Sequence, residues 1–473
     1  MLCANGIIGT WLSKNVLTEW GTRVTSEIKE KGKEPAGSAA ALQLARDGLD
    51  VVLLERGNRP GEKNVMSGIL ITDKLFEMVP DFEDRAPLQR RIISDYTRYY
   101  LTEDAVLRSP SIRDYRRNRL HPPYYTVFRS EFDAWFAEEA VDAGAELFTA
   151  TLVEDLLWED GRVAGVCTRR GDLRARVVIG ADGVNSTVAE KSGLRPDKLL
   201  PSEVSLIVRE ILDLRAERIE ERFALEPGEG IISVYTGSIT GPTGGKGIYY
   251  TELYTNRDSL SLTTEVPLSV LQACGVSNYD VLAARERHPY IARLIRGATL
   301  REYQAHLIPW GGVDDLGCLF GEGVLLVGDA GKFTTKEGVG SWPAMASGAA
   351  AARAVKHACE KGDFSRASLA VYLDLLDEEG LVDAQREAHR DWDYDNKRRE
   401  ILGQYPEHLV RLARRYFDSW WTRQDESPYS LWGEAYHSLL MPRIPWYVRL
   451  PLGLVVWVDT LRWRSEQARR RNR

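Results

Sequence analysis

Pro35-Ala36-Gly37-Ser38-Ala39-Ala40-Ala41-Leu42-Gln43-Leu44-Ala45, followed by Asp50-Val51-Val52-Leu53-Leu54-Glu55, is the stretch on which the fold turns. The first run is small and apolar, which predicts a helix lying close against a sheet, and Gly48 stops it. The second is a continuous apolar run closed by an acid, the pattern of a strand buried on both faces of a parallel sheet. A helix followed by a strand-end acid is the second half of a dinucleotide-binding fingerprint. In G-x-G-x-x-G one glycine makes the turn, one lets a diphosphate approach the backbone, and one lets helix and strand touch. Gly32-Lys33-Glu34-Pro35-Ala36-Gly37 supplies the first and last of these, and Glu55 stands 23 residues beyond Gly32. An acid at about that spacing accepts the ribose hydroxyls. The middle position is Glu34, a side chain and a negative charge where the diphosphate should come. Residues 26–31 hold one apolar side chain in six, so the strand ahead of the turn is expected to be missing. Taken alone, the half-fingerprint also fits an ordinary helix start after a loop.

Working outward, residues 129–143 predict a helix and residues 146–150 a further strand. Residues 152–158 and 163–168 flank Asp160-Gly161, a hairpin signal. Residues 177–183 and 324–330 each read as a buried strand running into a turn, and a small-residue helix follows at 343–361. Between residues 200 and 310 lie β-rich runs at 231–235, 247–253 and 259–264, which suggest an antiparallel sheet. The expected class is α/β: a Rossmann-like domain formed by 35–190 and 315–365, interleaved with an antiparallel-sheet substrate domain at 191–314. An atypical segment, 1–34, precedes it, and a helical region, 366–473, follows.

Composition sets the outer limits. The chain has 473 residues, 44% hydrophobic and 28% charged, which excludes a disordered or low-complexity protein. A net charge of −7 argues against a general nucleic-acid binder. Cys3, Cys167, Cys274, Cys318 and Cys359 lie far apart, so neither a disulfide framework nor a metal or iron–sulfur site is expected. No secretory signal or bilayer-spanning run is visible, and the expected compartment is the cytoplasm.

Two further motifs strengthen the fingerprint. Gly180-Ala181-Asp182-Gly183 and Gly328-Asp329-Ala330-Gly331 each follow a buried strand, where glycines free the turn and a carboxylate can meet a ribose, directly or through water. Pro35–Ala41, Leu54-Glu55-Arg56-Gly57, the Arg129…Phe132-Asp133 element and Gly328-Asp329-Ala330-Gly331 resemble the geranylgeranyl-reductase/FixC superfamily of FAD flavoproteins. Pro60-Gly61-Glu62-Lys63-Asn64-Val65, Ala181–Thr187, Ala305-His306-Leu307-Ile308-Pro309 with Gly311-Gly312, and Gly340-Ser341…Ala344–Gly348 resemble its FixC branch. That branch comprises electron-transfer-flavoprotein:quinone oxidoreductases. The likeness spans roughly residues 35–360.

The resemblance implies FAD as cofactor and a cradle made of Gly32, Pro35, Ala36, Gly37, Glu55, Arg56, Lys63, Asn64, Arg129, Asp182, Gly328, Asp329, Gly340 and Ser341. Glu55 would hold the adenosine ribose, and Arg56 and Arg129 would flank the adenosine-diphosphate half. Asp329 would sit near the diphosphate and ribityl chain, while Lys63 and Asn64 face the ring. Gly340 and Ser341 would present a helix N-terminus to the pyrimidine edge, where reduced flavin carries negative charge. The family has Glu before that glycine; this chain has Val339. The implied partners are an electron-transfer flavoprotein or a separate ferredoxin-like subunit, and a quinone. His306 is expected to be structural, and 241–247 a flexible hairpin over the active site.

The C-terminal region is rich in tryptophan, with a short apolar stretch at 450–458 and an arginine-rich tail. It suits a segment, 444–464, lying in a membrane interface on the cytoplasmic face. A helix capping the core would look similar. Competing functions are a geranylgeranyl-type isoprenoid reductase, an FAD monooxygenase, and a non-catalytic relative that has lost FAD.

Overall fold

Small side chains set the spacing of the first layers. The computed structural model describes residues 2–4, 7–10, 35–62, 67–93, 97–109, 124–195, 199–242, 244–313, 316–334, 340–397 and 404–421. Pro35–Arg46 is a helix with ten buried residues. Its leading proline gives up an N–H that no helical carbonyl could have paired. The chain leaves the helix through Gly48, at φ +75°, whose N–H reaches the carbonyl of Ala45. Val51–Leu54 follows as a strand buried at every position.

That strand has parallel neighbours on both sides, Glu146–Phe148 and Leu2–Ala4. The expectation of a missing first strand is corrected here. Cys3 pairs with Leu53, and Ile7–Thr10 turns back antiparallel beside them. Leu2-Cys3-Ala4 and Ile7-Ile8 are apolar runs, whereas segment 26–31 is polar and lies outside the described residues. Three residues make a strand too short to leave a hydropathy signal. In the same layer Val178–Gly180 pairs in parallel with Val324–Leu326, edged by antiparallel Phe320–Gly321.

Three helices cover this sheet: Pro35–Arg46, Arg129–Asp142 and Ser341–Lys361. Leu42, Phe132, Phe136 and Met345 share one buried cluster with the strand residues Val51, Leu53, Ile179 and Leu325. The first and last helices nearly touch by backbone: a Cβ on Gly348 would lie 2.3 Å from the carbonyl oxygen of Ala36. Val153–Glu159 and Arg162–Thr168 form the expected hairpin, with Asp160 and Gly161 both at positive φ.

A seven-stranded sheet runs in the order Thr299–Pro309, Val204–Asp213, Ser259–Pro267, Lys246–Thr255, Ile232–Thr240, Thr97–Leu101, Val106–Arg108. Its last two strands come from residues 97–108, far ahead of the segment 191–314 that supplies the rest. Ile232–Thr240 therefore pairs in parallel with Thr97–Leu101, while the five other adjacent pairs are antiparallel. A small sheet of Ser67–Leu70, Leu88–Ile92, Tyr125–Phe128 and Glu229–Gly230 draws its strands from segments interleaved with those of the seven-stranded sheet. The architecture is α/β, a Rossmann-like layer interleaved with an antiparallel sheet.

The loop 241–247 does close a hairpin, with the Gly241 N–H on the Gly245 carbonyl at 2.9 Å. It is packed rather than loose: a Cβ on Gly241 would fall 1.6 Å from the Cys274 carbonyl oxygen, at the end of helix Leu268–Cys274. Helices Val371–Glu378, Leu381–Lys397 and Tyr405–Trp421 end the described chain. The segment 444–464 lies outside the described residues. Among the described residues no helix is long and apolar enough to cross a membrane.

Candidate functional site

Glu55 sits at the carboxyl end of Val51–Leu54, where ligands gather in open α/β sheets. Only 1% of the residue is exposed. Its backbone is fixed on both sides, the N–H on the Phe148 carbonyl and the carbonyl under the Thr151 N–H, each at 2.8 Å. One carboxylate oxygen accepts from the Gly57 N–H; the other is buried with no hydrogen-bond partner among the described residues. Burial pushes the carboxyl up to about 8, against the pull of the Gly57 N–H and Arg56. An unsatisfied buried acceptor at a strand end is what a ribose hydroxyl fills.

The same corner gathers the two expected arginines. Arg56 is the next residue. Arg129 opens helix Arg129–Asp142 and holds Asp133 in two contacts, at 2.7 and 3.1 Å. The loop after Glu55 docks there. Glu62 accepts from the Asn58 backbone and side chain, and Gly61, at φ +76°, passes so close that a Cβ would lie 2.8 Å from the Arg129 carbonyl oxygen. Lys63, Asn64, Gly32, Glu34 and Val339 lie outside the described residues. Pro35, Ala36 and Gly37 form the buried first turn of their helix.

Asp182 and Asp329 do different work. The carboxylate of Asp182 accepts from the Ser186 hydroxyl and, at 3.1 Å, from the Val188 N–H. It therefore holds the start of helix Thr187–Lys191. Loss of solvent raises its carboxyl while these donors oppose the rise. Asp329 lies in the tight turn Gly328–Gly331, with an oxygen 3.7 Å from where a Gly340 Cβ would be. Gly340 caps the helix Ser341–Lys361, so the fold brings the Asp329 turn to a helix N-terminus. Ser341 donates to the Ile69 carbonyl at 3.2 Å.

Sequence reasoning missed the residues that hold these turns. Ser347 accepts from the Gly328 N–H at 3.0 Å, and the buried Tyr372 hydroxyl donates to Leu326 at 3.0 Å. Arg195 reaches the Ala330 carbonyl at 3.1 Å and the Val184 carbonyl at 2.7 Å, tying the two Gly-Asp turns together. Lys332 pairs with Glu203 at 2.7 Å and so joins the second turn to the seven-stranded sheet. His306 is half-buried on Thr299–Pro309, in register with Ile207. No signal in the sequence distinguished Tyr372, Arg195 or Lys332 from ordinary surface or core residues, while Ser347 and His306 lay in motifs whose contacts the sequence did not reveal. Among the described residues no group of His, Cys, Asp or Glu could hold a metal ion.

A parallel sheet, a strand-end acid with an unfilled oxygen, and a helix start at a Gly-Asp turn fit FAD and define an FAD-dependent oxidoreductase. The family model described as "FAD binding domain" matches residues 32–248. The chain is similar to FixC of Escherichia coli, 38% identical over 388 residues, covering 81% of this chain and 88% of that one. FixC of Bradyrhizobium diazoefficiens is 36% identical over 356 residues, 74% and 80% of the two chains. Among solved structures, a geranylgeranyl bacteriochlorophyll reductase-like protein from Thermoplasma acidophilum shares the fold at a TM-score of 0.63 and 20% identity, covering 80% and 88%. The myxobacterial chondrochloren halogenase CndH shares it at 0.53 and 19%, covering 73% and 77%. The chain belongs to the FixC family, and its cofactor is FAD.

Proposed function

We propose that the protein passes electrons from an electron-transfer flavoprotein or a ferredoxin-like subunit to a membrane quinone, working at the cytoplasmic face of the membrane. FAD supplies the electron-carrying chemistry. Segments 35–190 and 315–365 hold it: Glu55 on the adenosine ribose, Arg56 and Arg129 beside the adenosine diphosphate, Asp329 near the ribityl chain. Gly32, Lys63 and Asn64 complete the cradle in this reading, and Asp182 contributes by fixing its turn. Segment 191–314 receives the acceptor, and 444–464 rests in the interface.

The observation that carries the reading is the helix start at Gly340-Ser341. It lies against the Asp329 turn on one side and, through Ile69, against the small sheet on the other. Free N–H groups at a helix start stabilise negative charge, which is what a flavin accumulates on reduction.

Absorbance of the purified protein, after incubation with FAD and desalting, is expected to show about one flavin per chain. Reduced electron-transfer flavoprotein should bleach it, and quinone in vesicles should restore it. Saturation of a polyprenyl lipid instead of quinone reduction would move the protein to the isoprenoid reductases. Product formation that requires oxygen would make it a monooxygenase, and a folded protein that takes up no flavin would make it a non-catalytic relative.

A further inference from the structure

The seven-stranded sheet has an apolar face and a polar one. Val208, Leu212, Leu253, Leu260 and Leu262 point into the core beneath its helices. Cross-strand partners share a face, so register fixes what the other side carries. Ile207 pairs with Glu265 and with His306; Arg209 pairs with Thr263 and with Gln304. On that side Ile232, Val234 and Tyr254 pack with Ile92 and Ile69, and Ile69 is the residue held by Ser341. The polar face thus looks toward the Gly340 helix start.

Three side chains on it are buried with unbonded polar atoms among the described residues: Gln304, Glu265 and the Ser205 hydroxyl. Gln304 is 4% exposed, with neither its amide nitrogen nor its oxygen bonded; Glu265 is 6% exposed, with Oε1 unbonded, among the described residues. Buried amides and carboxyls are almost always paired, and exceptions call for a ligand or water. The strands of Gln304 and Glu265 are separated by one other, roughly 10 Å of sheet, with Ile207 and Arg209 of the middle strand on the same face between them. Arg209 is engaged elsewhere: its Nε donates to Thr263 at 2.6 Å, and it bonds the Tyr254 hydroxyl, which donates to Glu252 at 3.0 Å.

We infer that this face binds the quinone head, with Gln304 donating to one carbonyl oxygen and Glu265 giving a proton to the other. The assignment rests on the quinone reading above. Quinone becomes quinol by gaining two electrons and two protons. Two electrons and one proton are supplied with the reduced flavin. The second proton leaves the Glu265 carboxylic acid, which becomes a carboxylate and regains a proton from solvent. The groups facing Glu265 are Arg209 and the Ser205 hydroxyl on one neighbouring strand, Tyr250 directly across and Glu252 diagonally on the other, and His306 one strand beyond. Burial, then Glu252, push the Glu265 carboxyl up to about 8, while Ser205 and Arg209 oppose. The acid is therefore present at neutral pH.

The test uses the full chain with FAD bound and a short-chain quinone. Wild-type turnover should fall as pH rises through about 8. Glu265→Gln should keep its flavin spectrum, lose about 100-fold in kcat and lose that alkaline limb; Glu265→Asp should restore the limb. Infrared difference spectra on quinone binding should show a carboxylic-acid carbonyl band that Glu265→Gln removes. Gln304→Leu should raise KM about tenfold with kcat unchanged. An unaltered kcat and pH profile in Glu265→Gln, or no acid band in the wild type, overturns the assignment while quinone reduction stands. A flavin-loaded wild type that reduces no quinone fails at the earlier step, and this assignment falls with it.

Discussion

Around Val51–Leu54 the helices meet the sheet through Ala and Gly, and Ala36 and Gly348 come within reach of one another's backbone. Around Val204–Asp213 the strands carry Arg209, Glu265 and Gln304 on a buried face. In the first region the backbone is the binding surface, so side chains must be absent. In the second, single side chains are the surface, and Glu265 Oε1 and the Gln304 amide have no hydrogen-bond partner among the described residues. The first arrangement couples function to stability; the second sets them against each other.

Three substitutions and one titration break or sharpen that contrast. Gly348→Ala forces a methyl to 2.3 Å from a carbonyl oxygen. It is expected to cost about 3 kcal/mol, read as a lower urea midpoint, with flavin content falling alongside. Glu55→Ala should leave folding nearly intact but weaken FAD by about 1 kcal/mol, the scale of one hydrogen bond, measured by fluorescence titration of flavin-free protein. Gln304→Leu should do the reverse of Gly348→Ala. Removing two unsatisfied buried atoms should stabilise the fold by about 1 kcal/mol while quinone KM rises. Equal losses of stability at Gly348 and Gln304 would erase the distinction between the regions.

The last effect is a slope. Glu55 and Glu265 sit near 8 in the folded chain against an ordinary 4.5. Below 4.5 both states hold these protons and nothing is lost. From 4.5 to 8 the unfolded chain releases protons that the folded chain keeps, so stability falls with rising pH and levels off above 8. Urea midpoints across that window should decline, and Glu55→Gln should flatten the decline.

Much of the cofactor side was legible in the sequence because it is written in local patterns. The helix Pro35–Arg46, the strand Val51–Leu54 and the helix Ser341–Lys361 follow from small-residue and apolar runs. Glu55 was marked by spacing alone. The Arg195 bridge and the Ser347 and Tyr372 contacts were not legible, since each joins residues brought together only by the completed fold. The polar sheet face was hidden for another reason: alternation says which residues share a side, but only register places Gln304 across from Arg209 and Glu265 beside it. Leu2–Ala4 was too short to announce itself, and the outer strands at 97–108 gave no hint that they would join a sheet formed much later in the chain.

Arg195 holds a carbonyl 135 residues further along. During synthesis, at about 5–20 residues per second, that carbonyl does not yet exist when the first Gly-Asp turn leaves the ribosome. The whole central block of the seven-stranded sheet must be made, and its strands paired, before Ala330 can close the bridge. The cradle is thus a late assembly, one that can close only after the chain has been made past Ala330.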